Sequence, residues 1–136
     1  MNIRVCTEDD VPVLAEMNQG LIEDEKAETA LTLPQLQERM RGFIRAQYTA
    51  FLFSEGDDVL GYALCDTLRR PAYLRQFFIQ RTARRKGYGK QAFELLLAHL
   101  GIREIDVEVY AWNEAGLAFW RAMGFETRCY SLRYKG

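Results

Sequence analysis

A basic turn marked by two glycines, followed directly by a helix, constrains this chain more than any other segment. The turn contains Gly87 and Gly89, and the apolar residues after it recur at the i, i+3, i+4, i+7 spacing of a buried helical face, at Phe93, Leu96, Leu97 and Leu100. The first turn of a helix leaves N–H groups unpaired at the positive end of the helix dipole. Glycine keeps Cβ atoms away from these groups, and nearby cations attract anions. The segment therefore predicts a phosphate-binding turn.

The composition predicts a single folded domain spanning residues 1–136. Hydrophobic residues make up 49% of the 136 positions, which suffices for a core and is unlike a disordered chain. No apolar stretch reaches the roughly 18 residues of a membrane helix, and the N-terminus lacks the pattern of a signal peptide. The three cysteines include no CxxC pair and form no cluster with the single histidine. We therefore expect a cytoplasmic protein with reduced thiols, no metal site and no membrane partner.

The charges are distributed unevenly along a chain whose net charge is only −1. Residues 1–28 hold eight acids and two bases, whereas residues 68–93 hold eight bases and no acid. A basic segment of this kind can serve nucleic acid, a polyphosphate ligand or solvent alone. Because the net charge is near zero and aromatic residues do not alternate with bases across a broad surface, we expect a polyphosphate ligand and no nucleic acid.

The predicted elements follow the order β-α-α-β-β-β-α-β-α-β. Thr7 and Thr32 stand where N-caps of the first two helices belong, and the first helix is expected to end near Gly20. The segment 55–58 is a strong hairpin signal, and Asn113 caps a last helix that stops at a glycine. The strand-like runs cover residues 3–5, 48–54, 59–66, 73–80, 105–110 and 125–134. This order predicts an α/β fold with one mixed sheet flanked by helices.

The basic turn and a second motif downstream together resemble the GNAT superfamily of acetyl-CoA-dependent N-acyltransferases. The first part of the resemblance is the R-x-x-G-x-G pattern from Arg84 to Gly89, which follows a strand ending at Ile79. The second part lies in the next strand and helix, at Glu108, Asn113, Phe119, Gly124 and Phe125. A G-x-G pattern alone would be weak, because many tight turns contain it. The resemblance covers nearly the whole chain and implies the GNAT fold, a mostly antiparallel mixed sheet flanked by helices.

The resemblance also implies which residues bind acetyl-CoA, the co-substrate. The pyrophosphate would be held by N–H groups of the turn, at Arg84, Arg85, Lys86, Gly87, Tyr88, Gly89 and Lys90. The pantetheine arm would pair with the backbone around Phe78, Ile79 and Arg81, and Asn113 would reach the pantetheine or its phosphate end. Asn113 has a compatible second role as an N-cap. The arginines of the turn have an alternative role as solvated surface cations.

In this family an acceptor amine attacks the thioester directly. A base must remove the amine's proton, because alkylamines are protonated at pH 7. A backbone N–H of the Phe78–Ile79 segment would meet the developing oxyanion. Glu108 is the first candidate for the base, and a solvent-facing strand residue is the alternative. Tyr73 stands where other relatives carry a glutamate, and it either packs or lines the acceptor site.

Trp120 stands where many members carry a tyrosine that protonates the leaving thiolate. An indole N–H donates hydrogen bonds but does not serve as a proton donor at this pH. The resemblance therefore leaves the usual acid unassigned, and Trp120 is expected to pack against the core or the cofactor.

Two groups of charges bear on the acceptor. Glu23, Asp24 and Glu25 follow the first helix, where the family often builds its acceptor cleft, and they would favour a cationic acceptor. A solvated helix end is the alternative for these acids. Arg75 complicates this interpretation, since an inward-facing arginine suits an acceptor that bears a carboxylate. The expected acceptor is therefore a primary amine, whether of a small amine, an amino acid, a peptide or a protein.

The predicted function is N-acetyl transfer from acetyl-CoA to such an amine. Because Tyr73 and Trp120 replace proton-transfer groups, the alternative is a non-catalytic acyl-CoA-binding or sensor module on the same fold. A nucleic-acid-binding protein would leave the glycines and the downstream motif unexplained. His99, about 15 Å from the phosphate-binding end of its helix, is not expected to act. The strand-like C-terminus RCYSLRYKG would allow pairing across a homodimer.

Overall fold

A computed structural model describes all residues, 1–136, and contains one five-stranded sheet with helices packed on it. The strands are β1 (Asn2–Val5), β2 (Tyr48–Glu55), β3 (Asp58–Asp66), β4 (Ala72–Ile79) and β5 (Ile105–Val107). The helices are α1 (Val11–Glu25), α2 (Leu33–Arg45), α3 (Tyr88–Leu100) and α4 (Glu114–Ala122). The predicted order of elements is confirmed as far as α4. None of the helices is long and apolar enough to cross a membrane.

The sheet is mixed and mostly antiparallel, as predicted. Its strands follow the order β1-β2-β3-β4-β5, in which the first four are antiparallel neighbours and β5 runs parallel to β4. The β2–β3 hairpin closes on the pair Glu55–Asp58. Gly56 adopts a φ of +58° in this turn, a conformation that glycine reaches at little cost. The hairpin prediction is confirmed.

The two faces of the sheet carry separate apolar cores. One core holds residues of α1 and α2 against the sheet, among them Leu14, Met17, Met40, Leu52 and Tyr62. The other holds Phe93 and Leu96 of α3 and Trp120 of α4 against Phe51 and Phe53 of β2. Strand β2 contributes to both cores, because alternate side chains of a strand point to opposite faces. This is why its sequence is apolar at consecutive positions.

Local capping explains where α2 and the 3₁₀ turn before α1 begin. Thr32 accepts a hydrogen bond from the N–H of Gln35, whose side chain accepts one from the N–H of Thr32. Such a reciprocal capping box satisfies two N–H groups that the helix itself leaves unpaired. In the 3₁₀ turn that precedes α1, the Thr7 hydroxyl accepts a hydrogen bond from the N–H of Asp9, and the Asp10 carboxylate accepts one from the N–H of Thr7. The N-cap prediction at Thr32 is confirmed. Thr7 caps the 3₁₀ turn, and α1 itself begins after Asp10, whose side chain makes no capping bond.

The predicted end of α1 at Gly20 is wrong, because the helix continues to Glu25 and ends where Lys26 adopts a φ of +48°. Gly20 has a packing role instead. A Cβ atom at this position would lie 2.9 Å from the ring of Phe78 on β4. The glycine therefore lets α1 approach the sheet closely.

Two predicted strands differ in the structure. β5 ends at Val107 rather than Tyr110, because its parallel pairing with β4 involves only three residues of each strand. The predicted closing strand over 125–134 does not form, and the chain after α4 has no regular structure. A strand needs a neighbour for its backbone groups, and these residues have none in the sheet. Apart from Phe125, which packs against Phe93 and Trp120, their side chains stay exposed, and Arg133 pairs with Glu28.

Candidate functional site

Strand β4 has one open edge. On one side β3 pairs with it from Tyr73 to Ile79. On the other side β5 pairs with it only as far as Leu74, opposite Val107. Beyond this point the two parallel strands share no register, so the edge of β4 that includes Phe78 and Ile79 faces no strand. Backbone N–H and C=O groups at such an edge can pair with an extended ligand that contains amides.

The open edge leads directly into the basic turn. After a 3₁₀ turn at Arg81–Ala83, Arg85 and Gly87 adopt φ values of +64° and +77°, and α3 begins at Tyr88. The first intrahelical bond runs from the N–H of Gln91 to the carbonyl of Gly87. The N–H groups of the three preceding helical residues therefore have no helical acceptor. Lys86 and Lys90, both exposed, add positive charge at this helix end.

The two glycines of the turn have different physical roles. Gly87 has the positive φ, and a Cβ atom there would point into open space. Gly89 lies inside the first turn of α3, where a Cβ atom would come within 3.0 Å of the ring of Phe119 on α4. Gly87 therefore shapes the turn, and Gly89 allows the two helices to pack closely.

Two arginines that follow β4, Arg81 and Arg84, are paired with the acids at the end of α1. The Arg81 guanidinium contacts Glu23 at 3.2 Å and Asp24 at 2.9 Å. Arg84 also pairs with Asp24, and its Nε donates to the carbonyl of Ile79 at 2.8 Å. Glu23 and Asp24, which we expected to face an acceptor, thus tie α1 to the turn that follows β4. A groove of about 320 Å³ lies beside this contact, between α1 and the end of β4.

Glu25 is directed differently from its two acidic neighbours. Its side chain is half-buried, and burial, with a smaller contribution from Asp24, raises its pKa. Its backbone carbonyl accepts a 2.8 Å hydrogen bond from the indole of Trp112. Trp112 in turn stacks on Tyr110, with ring centroids 4.7 Å apart. These contacts attach the segment after β5 to the end of α1.

Glu108 and Tyr73 lie together at the point where β4 and β5 part. The Tyr73 phenol donates a 2.6 Å hydrogen bond to the Glu108 carboxylate. Burial, and then the hydrogen bond with Glu108, raise the pKa of Tyr73 above its usual value. The guanidinium of Arg69 lies 5.0 Å from the centre of the Tyr73 ring and also pairs with Asp106. The structure therefore brings the two predicted catalytic residues into direct contact.

Asn113 and Trp120 lie on α4 in different surroundings. Asn113 is the N-cap of the helix, and its side-chain oxygen accepts from the N–H of Gly116 at 3.1 Å. Its amide NH₂ is not needed for the cap. Trp120 is 9% exposed and packs among the aromatic rings of Phe77, Phe93, Phe119 and Phe125. Its indole thus belongs to the core.

A polar cluster beneath α1 and α2 was not predicted from the sequence. Buried Tyr62 donates a 2.8 Å hydrogen bond to Gln76, and Arg39 donates a 3.0 Å bond to buried Asn18. Arg39 lies in the apolar stripe of its helix that contains Leu36, Met40 and Phe43. A charged residue at a core-facing helical position was the signal that could have revealed this cluster.

The cysteines are all free. Cys6 and Cys65 are buried, and burial raises the pKa of each to about 12, whereas Cys129 is exposed. No group of three or more histidine, cysteine or carboxylate side chains is arranged to hold a metal ion.

The profile of the acetyltransferase (GNAT) family matches residues 14–125 of this sequence. The match includes the open strand edge, the basic turn and α4. The chain belongs to the GNAT family of acetyltransferases. No match was found among curated proteins.

Solved structures share the GNAT fold along nearly the whole chain. A tetramutant of the BH1408 protein from Bacillus halodurans has a TM-score of 0.80 at 18% identity, and the alignment covers 99% of each chain. An acetyltransferase from Thermus thermophilus has a TM-score of 0.76 at 25% identity, covering 93% of this chain and 88% of its own. A predicted acetyltransferase from Clostridium acetobutylicum, solved with acetyl-CoA, has a TM-score of 0.73 at 14% identity, covering 98% and 95%. The GNAT architecture of this acetyltransferase is therefore confirmed.

Proposed function

We propose that this GNAT acetyltransferase transfers an acetyl group from acetyl-CoA to a primary amine in a ternary complex. The observation that carries the proposal is the open edge of β4, which leads into the unpaired N–H groups at the start of α3. CoA has both matching parts, since its pantetheine arm contains amides and its other end carries a pyrophosphate. The arm would pair with the strand edge, and the pyrophosphate would bind at the helix N-terminus.

The reaction needs the two substrates aligned more than it needs covalent help from the protein. The amine nitrogen forms a bond to the thioester carbonyl carbon, the C–S bond breaks, and CoA leaves as a thiolate. Negative charge develops on the carbonyl oxygen. A backbone N–H of the Phe78–Ile79 segment, at the open edge, would donate to that oxygen.

The ammonium group of the acceptor must lose a proton to a base before its nitrogen can attack. Glu108 is the candidate that the geometry favours, because it lies just beyond β5 at the mouth of the open edge. Its hydrogen bond with Tyr73 fixes the direction of the carboxylate. Glu25 is a second carboxylate near the cleft, at the end of α1. Removing the proton through one of these groups would accelerate transfer about 10²- to 10⁴-fold.

The leaving thiolate does not require an acid at the position of Trp120. That side chain is enclosed by aromatic rings and offers no proton. A thiol pKa of about 8.5 makes the thiolate an acceptable leaving group near neutral pH. The lack of a proton donor at Trp120 also motivates the alternative function, an acyl-CoA-binding module without turnover.

Two measurements test the proposal. Calorimetric titration with CoA should show binding, and mass spectrometry should detect N-acetylated product when acetyl-CoA is mixed with a panel of primary amines. Product should be measured directly, because the exposed thiol of Cys129 would react with thiol reagents. Binding without product for any amine would favour the binding module. Failure to bind CoA would contradict both functions.

A further inference from the structure

A β-bulge turns two consecutive side chains of β4 toward the same face of the sheet. The register between β3 and β4 shifts between Leu64 and Cys65, which leaves Arg75 as the extra residue of β4. A bulge interrupts the alternation of side chains along a strand. Gln76 accepts a hydrogen bond from a buried phenol of the core beneath α1 and α2, and the Arg75 guanidinium lies 4.7 Å from the centre of the Phe43 ring of α2. Both side chains therefore face the side covered by α1 and α2.

A second arginine approaches the same aromatic ring from α2. The guanidinium carbon of Arg39 lies 5.6 Å from the centre of the Phe43 ring. Its Nη2 donates to Asn18 at 3.0 Å, but its Nε is buried without a hydrogen-bond partner. A buried donor without an acceptor is costly, so a ligand that supplies an acceptor would bind favourably at this Nε.

No carboxylate of the protein balances this pair of arginines. Arg4 and Arg45 pair with carboxylates, whereas no carboxylate oxygen lies within 4.0 Å of Arg39 or Arg75. Burial, and then the charge of Arg75, lower the pKa of Arg39. Arg75 makes only a 3.3 Å hydrogen bond to the phenol of Tyr48. An anion placed between the two guanidinium groups would offset both the repulsion between their charges and the cost of burying the charge of Arg39.

We infer that Arg39 and Arg75 bind a carboxylate of the acceptor, so that the acceptor is a small amino acid or a similar amino-carboxylate. The inference rests on the proposed function, because it concerns the acceptor of that same reaction. Arg75 is two residues from Tyr73. It is three residues from Phe78, a separation of about 10 Å along the strand. A small molecule can therefore bind the arginines with its carboxylate while its amine approaches the thioester.

The surrounding groups complete a site for a zwitterion. Glu25, half-buried at the end of α1, lies near the polar cluster, since its charge, after burial, contributes to raising the pKa of Tyr62. Its carboxylate would attract the ammonium group of the acceptor. The planar guanidinium groups suit a carboxylate, with which arginine makes paired hydrogen bonds. The cluster has no glycine-marked turn with unpaired backbone N–H groups, which is the feature for which we propose that the turn before α3 binds phosphate.

The test compares acceptors that differ only in the carboxylate. Amino acids, β-alanine and 4-aminobutyrate are each assayed beside the amine that lacks the carboxylate and beside the carboxamide. For the best acceptor, we expect kcat/KM to be at least about tenfold higher with the carboxylate, as for a charged hydrogen bond. Arg75→Gln and Arg39→Gln should bring this ratio close to one, and Arg75→Lys should give an intermediate ratio. Arg41→Gln is the control. Arg41 lies on α2, as Arg39 does, but it pairs with Glu38, so this variant should leave the ratio unchanged.

Several results would overturn the inference without affecting the proposed function. These are equal or faster transfer to the amine without the carboxylate, a preference for aminoalkyl phosphates, or loss of both rates in the same proportion in Arg75→Gln. If CoA binds but no amine is acetylated, the proposed function fails, and calorimetric titration of the CoA complex with the same amino acids decides the inference. Binding that Arg75→Gln abolishes would support the site, and no binding would refute it.

Discussion

Tyr73 on β4 donates a 2.6 Å hydrogen bond to Glu108, one residue beyond the end of β5. The bond spans the two strands next to their last paired residues, Leu74 and Val107. Burial and this bond keep the phenol protonated, because both raise its pKa. The carboxylate is thus oriented at the beginning of the open edge, where the proposed reaction needs a base.

Glu108→Gln should lower kcat about 10²-fold or more while leaving the Kd for CoA unchanged, because the amide cannot accept a proton. Steady-state kinetics and calorimetry measure the two effects. Asp106→Asn is the matched control, since it removes a neighbouring carboxylate that pairs with Arg69 instead of Tyr73. Normal turnover in Glu108→Gln would exclude Glu108 as the base.

Gly87→Ala should weaken CoA binding about tenfold or more, about 1.4 kcal/mol, because it adds a Cβ atom to the residue that directly precedes the unpaired N–H groups of α3. Gly101→Ala at the other end of the helix is the control, with a φ of +64° and equally open space around it. Each variant should lose about 1 kcal/mol of stability from the left-handed conformation. Equal CoA affinity in the two variants would show that the phosphate site lies elsewhere.

Asn113→Ala should lower the free energy of unfolding by about 1 kcal/mol and also raise the KM for acetyl-CoA. The first effect comes from the lost cap of α4, and the second from the lost amide NH₂ at the proposed pantetheine site. Thr32→Ala removes the cap of α2 and should reproduce only the stability loss. Urea denaturation and initial-rate kinetics separate the effects. A KM equal in both variants would restrict Asn113 to capping.

Asp10→Asn should lower stability at pH 7 by about 1 kcal/mol, a modest value because the partner Arg4 is exposed. The hydrogen bonds from Arg4 lower the pKa of Asp10 in the folded state. The stabilisation is therefore complete above the unfolded pKa of about 4 and is lost as the pH falls through the folded value. Urea denaturation at pH 7 and below pH 4 should show the difference from the wild type shrinking. Asp9→Asn, an exposed neighbour, should show no such difference; an equal effect would contradict the assignment.

Features that depend on neighbours in sequence could be predicted well. The capping box at Thr32, the hairpin at Gly56 and the N-cap at Asn113 each involve residues within a few positions of one another. The turn from Arg84 to Gly89 also has a local physical basis, since a positive φ and unpaired helical N–H groups follow from the glycine and the helix start. The pattern of this turn and of the downstream motif resembles the GNAT family, and that resemblance indicated the GNAT fold.

Features that depend on distant partners needed the tertiary structure. The sequence could not show that Asp24 pairs with Arg84, that Trp120 is enclosed by phenylalanines, or that the last residues form no strand. The same holds for the bulge that directs Arg75 toward Arg39 and Phe43. Local conformation is determined by backbone sterics and short-range hydrogen bonds, which the sequence specifies directly. Which charges remain unpaired and which strand edge stays open depends on the packing of segments far apart in the chain, and these features shape the proposed acceptor site.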